Sequence, residues 1–202
     1  AYHSEVDQKV TLTSNPYDWF EASFFYMNVQ DEKTCRQYYD SKIYCQGYKD
    51  KGFNVKVRLK EEGTLPAVAI GLMDFAGTGK YSSEYIVGTK SVGNLELTAG
   101  LGFGRLAGKN SFSNPLGFLH SAFDQRGTNL VGKGGTLGTI NWFQGDAAAF
   151  YGVRYQIGNK FTISSEYNPD LMKTESSYLN IKSQWNLGLS YQLNKYVKLS
   201  AQ

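Results

Sequence analysis

The stretch Gly77–Lys80 reads Gly-Thr-Gly-Lys and is the first place where phosphate chemistry could be sought. A phosphate-binding loop needs a glycine, four further residues and then Gly-Lys-Ser/Thr, so that backbone N–H groups surround the phosphates. Asp74 stands where the first glycine belongs, and Tyr81 replaces the hydroxyl residue that would bind magnesium. Two required positions fail, so we interpret this cluster as a turn and not as a nucleotide site.

A second candidate for chemistry is the run that holds His120, Ser121 and Asp124. Hydrolysis by a nucleophile needs the nucleophile and its base within hydrogen-bond reach, and these three residues lie in a predicted loop with no assembled triad. The only other histidine is His3. We therefore expect no enzymatic activity, and no motif in the chain predicts a cofactor.

The two cysteines, Cys35 and Cys45, lie ten residues apart in a polar, tyrosine-rich segment. They could be free thiols or part of a zinc site, but a zinc site needs further ligands, and neither His3 nor His120 is near them in the sequence. A local disulfide is the favoured interpretation, and it implies an oxidising compartment.

The composition indicates an all-β protein. The chain has 202 residues, of which 15% are aromatic, 22 are glycine and only 4 are proline. No apolar run approaches the ~18 residues of a membrane-spanning helix, whereas a membrane barrel disperses its apolar residues over alternate positions. The net charge of +3 is mild, and no block of lysines or arginines indicates nucleic-acid binding.

Apolar and polar residues alternate along almost the whole chain, which is the period of a β-strand with two unlike faces. The segment Phe53–Lys60 shows it most clearly, with Phe53, Val55 and Val57 on one side. The alternation predicts one antiparallel meander with strands at 8–14, 18–28, 52–61, 66–75, 82–91, 95–104, 147–157, 160–167, 183–193 and 195–202.

Long and short connections also alternate, as in a barrel with short periplasmic turns and longer external loops. A two-sheet sandwich has no reason to show this regularity. We therefore predict a single up-and-down transmembrane β-barrel of about 10–12 strands over residues 1–202, with long external loops at 29–51 and 105–146. We expect the lipid-facing side chains to include Val55, Val57, Leu97, Leu101, Val153, Leu187 and Leu189.

The opposite face predicts a polar lumen. Charged side chains there could contact a polymer, and they could equally form ion pairs that only stabilise the interior. Glycines at alternate positions of one strand (Gly100, Gly102 and Gly104) would let the wall bend or let something pack closely inside. The lumen-lining candidates are Lys56, Arg58, Lys60, Glu84, Lys90, Glu96, Arg154 and Glu166. Among them we expect Lys56, Arg58 and Lys60 to share one face, with Glu84, Glu96 and Glu166 as counter-ions.

Several stretches resemble the YjbH family, namely 15–26, 71–90, 100–106 and 141–170. The resemblance covers about residues 8–192, and Gly71–Lys90 is its most specific part. It implies an outer-membrane protein of a Gram-negative bacterium, linked to exopolysaccharide and group 4 capsule operons. Family chains are much longer, so the resemblance implies that these residues form a fragment or first barrel of a longer chain. The segment with the two cysteines is not part of the family pattern.

Two functions follow as hypotheses. The first is a barrel that helps to export or assemble an exopolysaccharide or capsule, with an acidic polymer among the candidates. The second is a non-transporting scaffold or receptor whose external loops dock a partner, because a barrel of this size has a narrow lumen. In either case the expected partners are outer-membrane lipid, surface polysaccharide and other secretion or envelope proteins.

Overall fold

The computed structural model is all-β. It describes residues 2–3, 7–37, 43–127, 141–172, 181–195 and 197–201. Within these ranges eleven strands form one sheet, and each strand pairs antiparallel with its neighbours in the chain. The predicted antiparallel meander is therefore confirmed.

Ten of the eleven described strands overlap the predicted segments, two of these ten extend well beyond their segments, and a short additional strand lies at the start. Leu95–Gly104 and Ala147–Ile157 agree at both ends, because their alternation is bounded by clear turn residues. The strands are β1 (Tyr2–His3), β2 (Asp7–Tyr17), β3 (Phe20–Gln37), β4 (Ile43–Lys60), β5 (Ala67–Met73), β6 (Ser83–Val92), β7 (Leu95–Gly104), β8 (Ala147–Ile157), β9 (Phe161–Tyr167), β10 (Trp185–Gln192) and β11 (Lys198–Ala201).

The segment 29–51, predicted to be a loop, is instead mostly a two-stranded extension of the β3–β4 hairpin. Cys35 pairs with Cys45 across the two strands, and their sulfurs form a disulfide with a Cα–Cα distance of 4.1 Å. The disulfide prediction is confirmed, and its loop setting is corrected. The alternation misses this extension because the register shifts between Val29 and Lys33 and charged residues replace the apolar ones. The tip of the hairpin, 38–42, lies outside the described residues.

The described sheet has two open edges, since β1 pairs only with β2 and β11 only with β10. A barrel closes when its outermost strands pair with each other, so the predicted closed barrel is not confirmed. None of the helical turns in the described part of the chain has the length and hydropathy that a membrane-crossing helix needs.

The two faces of the sheet differ, and the apolar one is the more exposed. On β10, the side chain of Leu187 is 72% exposed and that of Leu189 is 51% exposed. Asn186 and Gly188, which alternate with them along the strand, are half-buried. A soluble sheet has the reverse order, with apolar side chains packed inside. We call the face of Leu187 and Leu189 the apolar face, and the face of Asn186 and Gly188 the polar face. The described residues contain no second sheet that covers the apolar face.

A cluster of buried apolar side chains lies at one end of the polar face. It consists of Phe25, Met27 and Val29 of β3 together with Tyr81 from the turn between β5 and β6. The rings of Phe25 and Tyr81 meet edge to face, with 6.0 Å between their centroids. The turn that joins β5 to β6 therefore folds back over the polar face and closes off that end of it.

Candidate functional site

The polar face carries two clefts, and the larger one crosses β7, β8 and β9. It has a volume of about 350 Å³, and its side-chain lining combines charged groups with aromatic rings. Tyr85 and Phe150 meet edge to face at 6.2 Å, and Glu96, Arg154 and Glu166 lie beside them. Aromatic rings next to hydrogen-bonding groups form a surface that suits a sugar, which has both apolar and hydroxyl-bearing sides.

Glycines shape this cleft. A Cβ on Gly71 would lie 2.2 Å from the Tyr85 ring, and a Cβ on Gly100 would lie 2.3 Å from the Phe150 ring. Each ring therefore occupies the space above a glycine where a side chain would otherwise stand. Gly102 makes the same room for Leu106. The prediction that glycines at alternate positions allow close packing is confirmed at Gly100 and Gly102.

The charges of the larger cleft are partly paired. Arg154 Nη1 lies 3.2 Å from Glu96 Oε1, in an ion pair between the neighbouring strands β7 and β8. Glu166 Oε1 accepts a hydrogen bond of 3.0 Å from the side-chain amide of Asn186. Two carboxylates and one guanidinium give the cleft a slight excess of negative charge.

The smaller cleft, of about 260 Å³, lies between β3 and β6 and is bordered by Lys56 and Arg58. Lys56 Nζ is 3.2 Å from Glu21 Oε2, which faces it from β3. Arg58 Nη2 is 3.0 Å from Glu61 Oε1. The two basic side chains thus project from the polar face together, as predicted, but each has its own carboxylate. Their counter-ions are not the predicted Glu84, Glu96 and Glu166.

The strand register places three of the lumen-lining candidates, Lys60, Lys90 and Glu84, on the apolar face instead of the polar face. The register shifts between Arg58 and Lys60, so Lys60 pairs with Val68 and its side chain is exposed. Lys90 and Glu84 are in step with Ile86, whose side chain belongs to the apolar face. Lys60 therefore does not share a face with Lys56 and Arg58. A one-residue shift in register moves a side chain to the other face, and short-range alternation does not reveal it.

Lys90 and Glu84 lie near opposite ends of β6, and both have partners at the ends of the sheet. Lys90 Nζ donates to the carbonyl oxygen of Gly63 and lies 3.4 Å from Glu62 Oε1, in the short turn between β4 and β5. Its aliphatic chain thus crosses the apolar face while its charge reaches the edge. The carboxylate of Glu84 binds Arg126, from the connection between β7 and β8.

The glycine turn 74–82 uses its polar groups internally. Thr78 Oγ1 donates to Asp50 Oδ2 at 2.9 Å and accepts from the backbone N–H of Lys80. The backbone N–H of Tyr81 donates to Asp74 Oδ2 at 3.0 Å. The ammonium of Lys80 lies over the ring of Tyr48, 4.2 Å from its centroid. The backbone amides of Lys80, Tyr81 and Ser82 are thus occupied within the protein, which supports the interpretation of Gly77–Lys80 as a structural turn.

Asp74 is the most perturbed carboxyl of this turn. It is almost fully buried, has a positive φ of 53°, and its Oδ1 atom has no hydrogen-bond partner. Burial raises its pKa from 3.8 to about 6; the N–H of Tyr81 opposes the rise and the nearby Asp50 adds to it. Between pH 3.8 and about pH 6, Asp74 is therefore more often protonated in the folded protein than in the unfolded chain.

We expect the protein to be more stable at pH 5 than at pH 7.5 because of Asp74. Stability from a raised carboxyl pKa is fully present below the unfolded value and is lost as the pH rises through the folded value. Asp74→Asn keeps an oxygen for the N–H of Tyr81 and cannot ionise, so it should remove most of this difference. Urea unfolding of both proteins at the two pH values measures it, and an equal pH dependence in the two would contradict it.

His120, Ser121 and Asp124 do not form a catalytic arrangement in the described structure. His120 Nδ1 accepts a hydrogen bond from the backbone N–H of Ala122 and so caps the short 3₁₀ turn Ser121–Phe123. The backbone N–H of Asp124 donates to the carbonyl oxygen of Ser121 within the same turn. These contacts give His120 a structural role, and the absence of enzymatic activity stays a prediction.

Sequence reasoning missed several residues that matter in this arrangement. The position of Glu21 could have been predicted from the sequence, because Glu21, Ser23 and Phe25 occupy alternate positions of one strand and therefore share a face, which is the polar face. Arg126 and Asn114 carry none, since they lie in a connection without periodicity. Their partners become visible only when the chain is folded.

These features define a class: an all-β protein built as one antiparallel meander, with an exposed apolar face and a cleft-bearing polar face. The family described as "Exopolysaccharide biosynthesis protein YbjH" matches residues 2–202. The chain belongs to this family, also written YjbH. It is 32% identical over 189 residues to the "Uncharacterized lipoprotein YjbH" of Escherichia coli strain K12, a match that covers 91% of this chain. The chain spans only about a quarter (26%) of that relative's length. No solved structure matches it.

Proposed function

We propose that this chain is part of an outer-membrane β-barrel wall that takes part in the export or surface assembly of an exopolysaccharide or capsule. The observation that carries the proposal is the exposure of apolar side chains along a sheet whose polar side chains are half-buried. This distribution suits a wall between lipid and a polar interior. The family description supplies the link to exopolysaccharide. The relative is named as a lipoprotein, which agrees with a location in the envelope.

The aromatic side chains of the apolar face support the membrane orientation. Tyr151, Tyr167 and Trp185 cluster near the end of β8–β10 where the longer connections lie, with ring centroids 5.1 to 5.5 Å apart. Phe161 and Tyr191 pack together near the opposite end. Trp185 and Tyr191 are six residues apart on β10, roughly 20 Å along a strand, and the apolar band of an outer-membrane barrel is about 25 Å tall.

The polar face is the side that would meet the polymer. Its larger cleft offers two aromatic rings, two carboxylates and one guanidinium, and its smaller cleft offers Lys56 and Arg58. The basic pair has carboxylate partners, Glu21 and Glu61, so Lys56 and Arg58 add no surplus of positive charge to the smaller cleft. This pairing favours hydrogen bonding and aromatic contact over attraction of an acidic polymer by charge alone.

Charge reversal on β4 tests the role of this face. We expect Lys56→Glu together with Arg58→Glu to reduce surface polysaccharide, because it places four carboxylates together at the smaller cleft. Folded protein, judged by heat-modifiable gel mobility, should be retained, because both ion pairs are partly exposed and such pairs contribute only about 0–1 kcal/mol each.

Lys60→Glu is the matched control, since Lys60 lies on the same strand after the register shift and does not share the face of Lys56. It should leave surface polysaccharide unchanged. A loss of folded protein in parallel with polysaccharide would assign Lys56 and Arg58 a structural role only. Normal polysaccharide with normally folded protein would refute a functional role for this pair.

A second candidate function, a scaffold that does not transport, is favoured by one observation. The turn 74–82 and the core around Phe25 and Tyr81 close off one end of the polar face. A narrow barrel closed in this way would not pass a polymer. Conductance of the full-length protein in planar bilayers, with and without added polysaccharide, separates the two: polymer-dependent block of an open pore supports transport, and no conductance supports the scaffold.

A further inference from the structure

Much of the connection between β7 and β8 folds back onto the apolar face of the sheet, after Leu106 has packed over Gly102 on the polar face. We call its described parts, 105–127 and 141–146, the rim loop. Glu84 and Phe103 pair with each other in register and lie on the same face as Ile86, yet they are only 1% and 0% exposed. The rim loop covers them: Arg126 binds the carboxylate of Glu84, and the ring of Phe143 lies 5.5 Å from that of Phe103.

The rim loop also continues the apolar face past the end of β9. Phe112 and Ala147 exchange two backbone hydrogen bonds of 2.9 and 3.0 Å. Residues paired in this way point their side chains to the same face of a sheet, so Phe112 stands on the apolar face next to the last residues of β9. Two residues earlier, the amide of Asn110 donates to the hydroxyl of Tyr167, which lies on that face.

The rim loop holds apolar side chains out into the surroundings from a well-fixed backbone. Phe118 is 84% exposed, Leu119 63% and Phe112 44%. The loop is held by Asn114, whose buried amide donates to the carbonyl oxygens of Phe123, Phe143 and Gly145 at 2.8 to 2.9 Å. A rigid loop that exposes three large apolar side chains beside an apolar sheet face has the properties of a contact surface.

We propose that the rim loop is a membrane anchor, with Phe112, Phe118 and Leu119 seated at the boundary between lipid headgroups and acyl chains. The inference rests on the proposed function, in which the apolar face contacts lipid. Lipid is the occupant that the geometry favours, because the loop surface is continuous with that face and adjoins the aromatic cluster of Tyr151 and Trp185. Aromatic rings with a polar edge concentrate at such a boundary. The rim loop thus contacts lipid as part of the barrel wall and does not serve as a docking site for proteins.

The test places a fluorescent reporter at single positions of the full-length protein. Cys35 and Cys45 are disulfide-bonded, so within these 202 residues a thiol-reactive NBD dye labels only an introduced cysteine, and dye taken up by the protein without one is subtracted. The positions are Phe118→Cys on the rim loop, Leu187→Cys on the sheet, and Gln125→Cys as an exposed control on the same loop. The protein is inserted into phosphatidylcholine vesicles, with or without lipids that carry a nitroxide near the headgroup end of the acyl chain.

We expect about twofold quenching at Phe118→Cys and at Leu187→Cys, and little at Gln125→Cys, because interfacial groups lie roughly 5–10 Å into the boundary. Quenching at Leu187→Cys with a Phe118→Cys signal like that of Gln125→Cys would overturn the anchor and leave the membrane wall standing. A blue-shifted but unquenched signal at Phe118→Cys would overturn it in favour of a protein contact. No quenching at Leu187→Cys would overturn the proposed function and the anchor together.

Discussion

Arg126→Ala is expected to lower the free energy of unfolding by about 3–5 kcal/mol, because it leaves the buried carboxylate of Glu84 without its cationic partner. Two guanidinium nitrogens of Arg126 lie 2.7 and 3.0 Å from the two carboxylate oxygens of Glu84. The same guanidinium also donates to Ser82 Oγ and to the carbonyl oxygen of Asn141. The substitution removes all of these hydrogen bonds. The side chain of Arg126 is only 13% exposed, so water does not readily replace them.

Two comparisons identify burial as the cause of this loss. Lys56→Ala removes an ion pair of similar length, but its partners are 42% and 35% exposed, so the change should cost no more than about 1 kcal/mol. The double variant Glu84→Leu with Arg126→Leu should recover most of the lost stability, since replacing both members of a buried pair by apolar residues is often neutral. Urea unfolding followed by tryptophan fluorescence measures all three. An Arg126→Ala loss no larger than that of Lys56→Ala would show that the pair contributes little.

Gly100→Ala is expected to cost about 1–3 kcal/mol through overpacking. Its Cβ would lie 2.3 Å from the ring of Phe150 and 2.5 Å from the carbonyl oxygen of Ile86. The ring can turn away, but the carbonyl belongs to the neighbouring strand β6 and can move only if the sheet distorts. A displaced Phe150 ring would also enter the larger cleft, so under the proposed function the variant should lower surface polysaccharide as well as stability.

Gly152→Ala is the matched control for this position. Gly152 lies on the same polar face, on the adjacent strand β8, and its Cβ would be 3.5 Å from the nearest atom, the carbonyl oxygen of Ser165. We expect it to be neutral or stabilising by a few tenths of a kcal/mol, because alanine restricts the unfolded chain more than glycine does. Equal losses for the two alanines, by urea unfolding, would refute a close-packing role for Gly100.

Much of the fold was predictable because the signal for a strand is local. Alternation within β7 and β8 predicts both strands to the residue. The disulfide was predictable for a related reason, since Cys35 and Cys45 are close in the chain. The histidines that a zinc site would need, His3 and His120, are distant from them in the sequence. The strands within 29–51 were not predicted, because the hairpin continues there without alternating apolar residues. Backbone pairing extends these strands in the absence of a side-chain pattern.

The charged site was predictable only in part. Lys56 and Arg58 share a face because they are two residues apart on one strand, which is a property of the sequence. Lys60 leaves that face because a bulge intervenes, and its position depends on how β4 pairs with β5. The counter-ion of Lys56 is Glu21, which is 35 residues away and becomes its neighbour only through the β3–β4 register.

By itself, the sequence determined most of the strands, the chemistry of their alternate faces and the disulfide, since each depends on residues within about ten positions of one another. The tertiary structure alone decided that the rim loop covers Glu84 and that the turn 74–82 closes one end of the polar face. Arg126 and Glu84 are 42 residues apart, and no short-range pattern links a loop arginine to one particular strand carboxylate. Such contacts depend on strand register and on the direction in which each connection leaves the sheet, and a shift of one residue would place the same side chains on opposite faces.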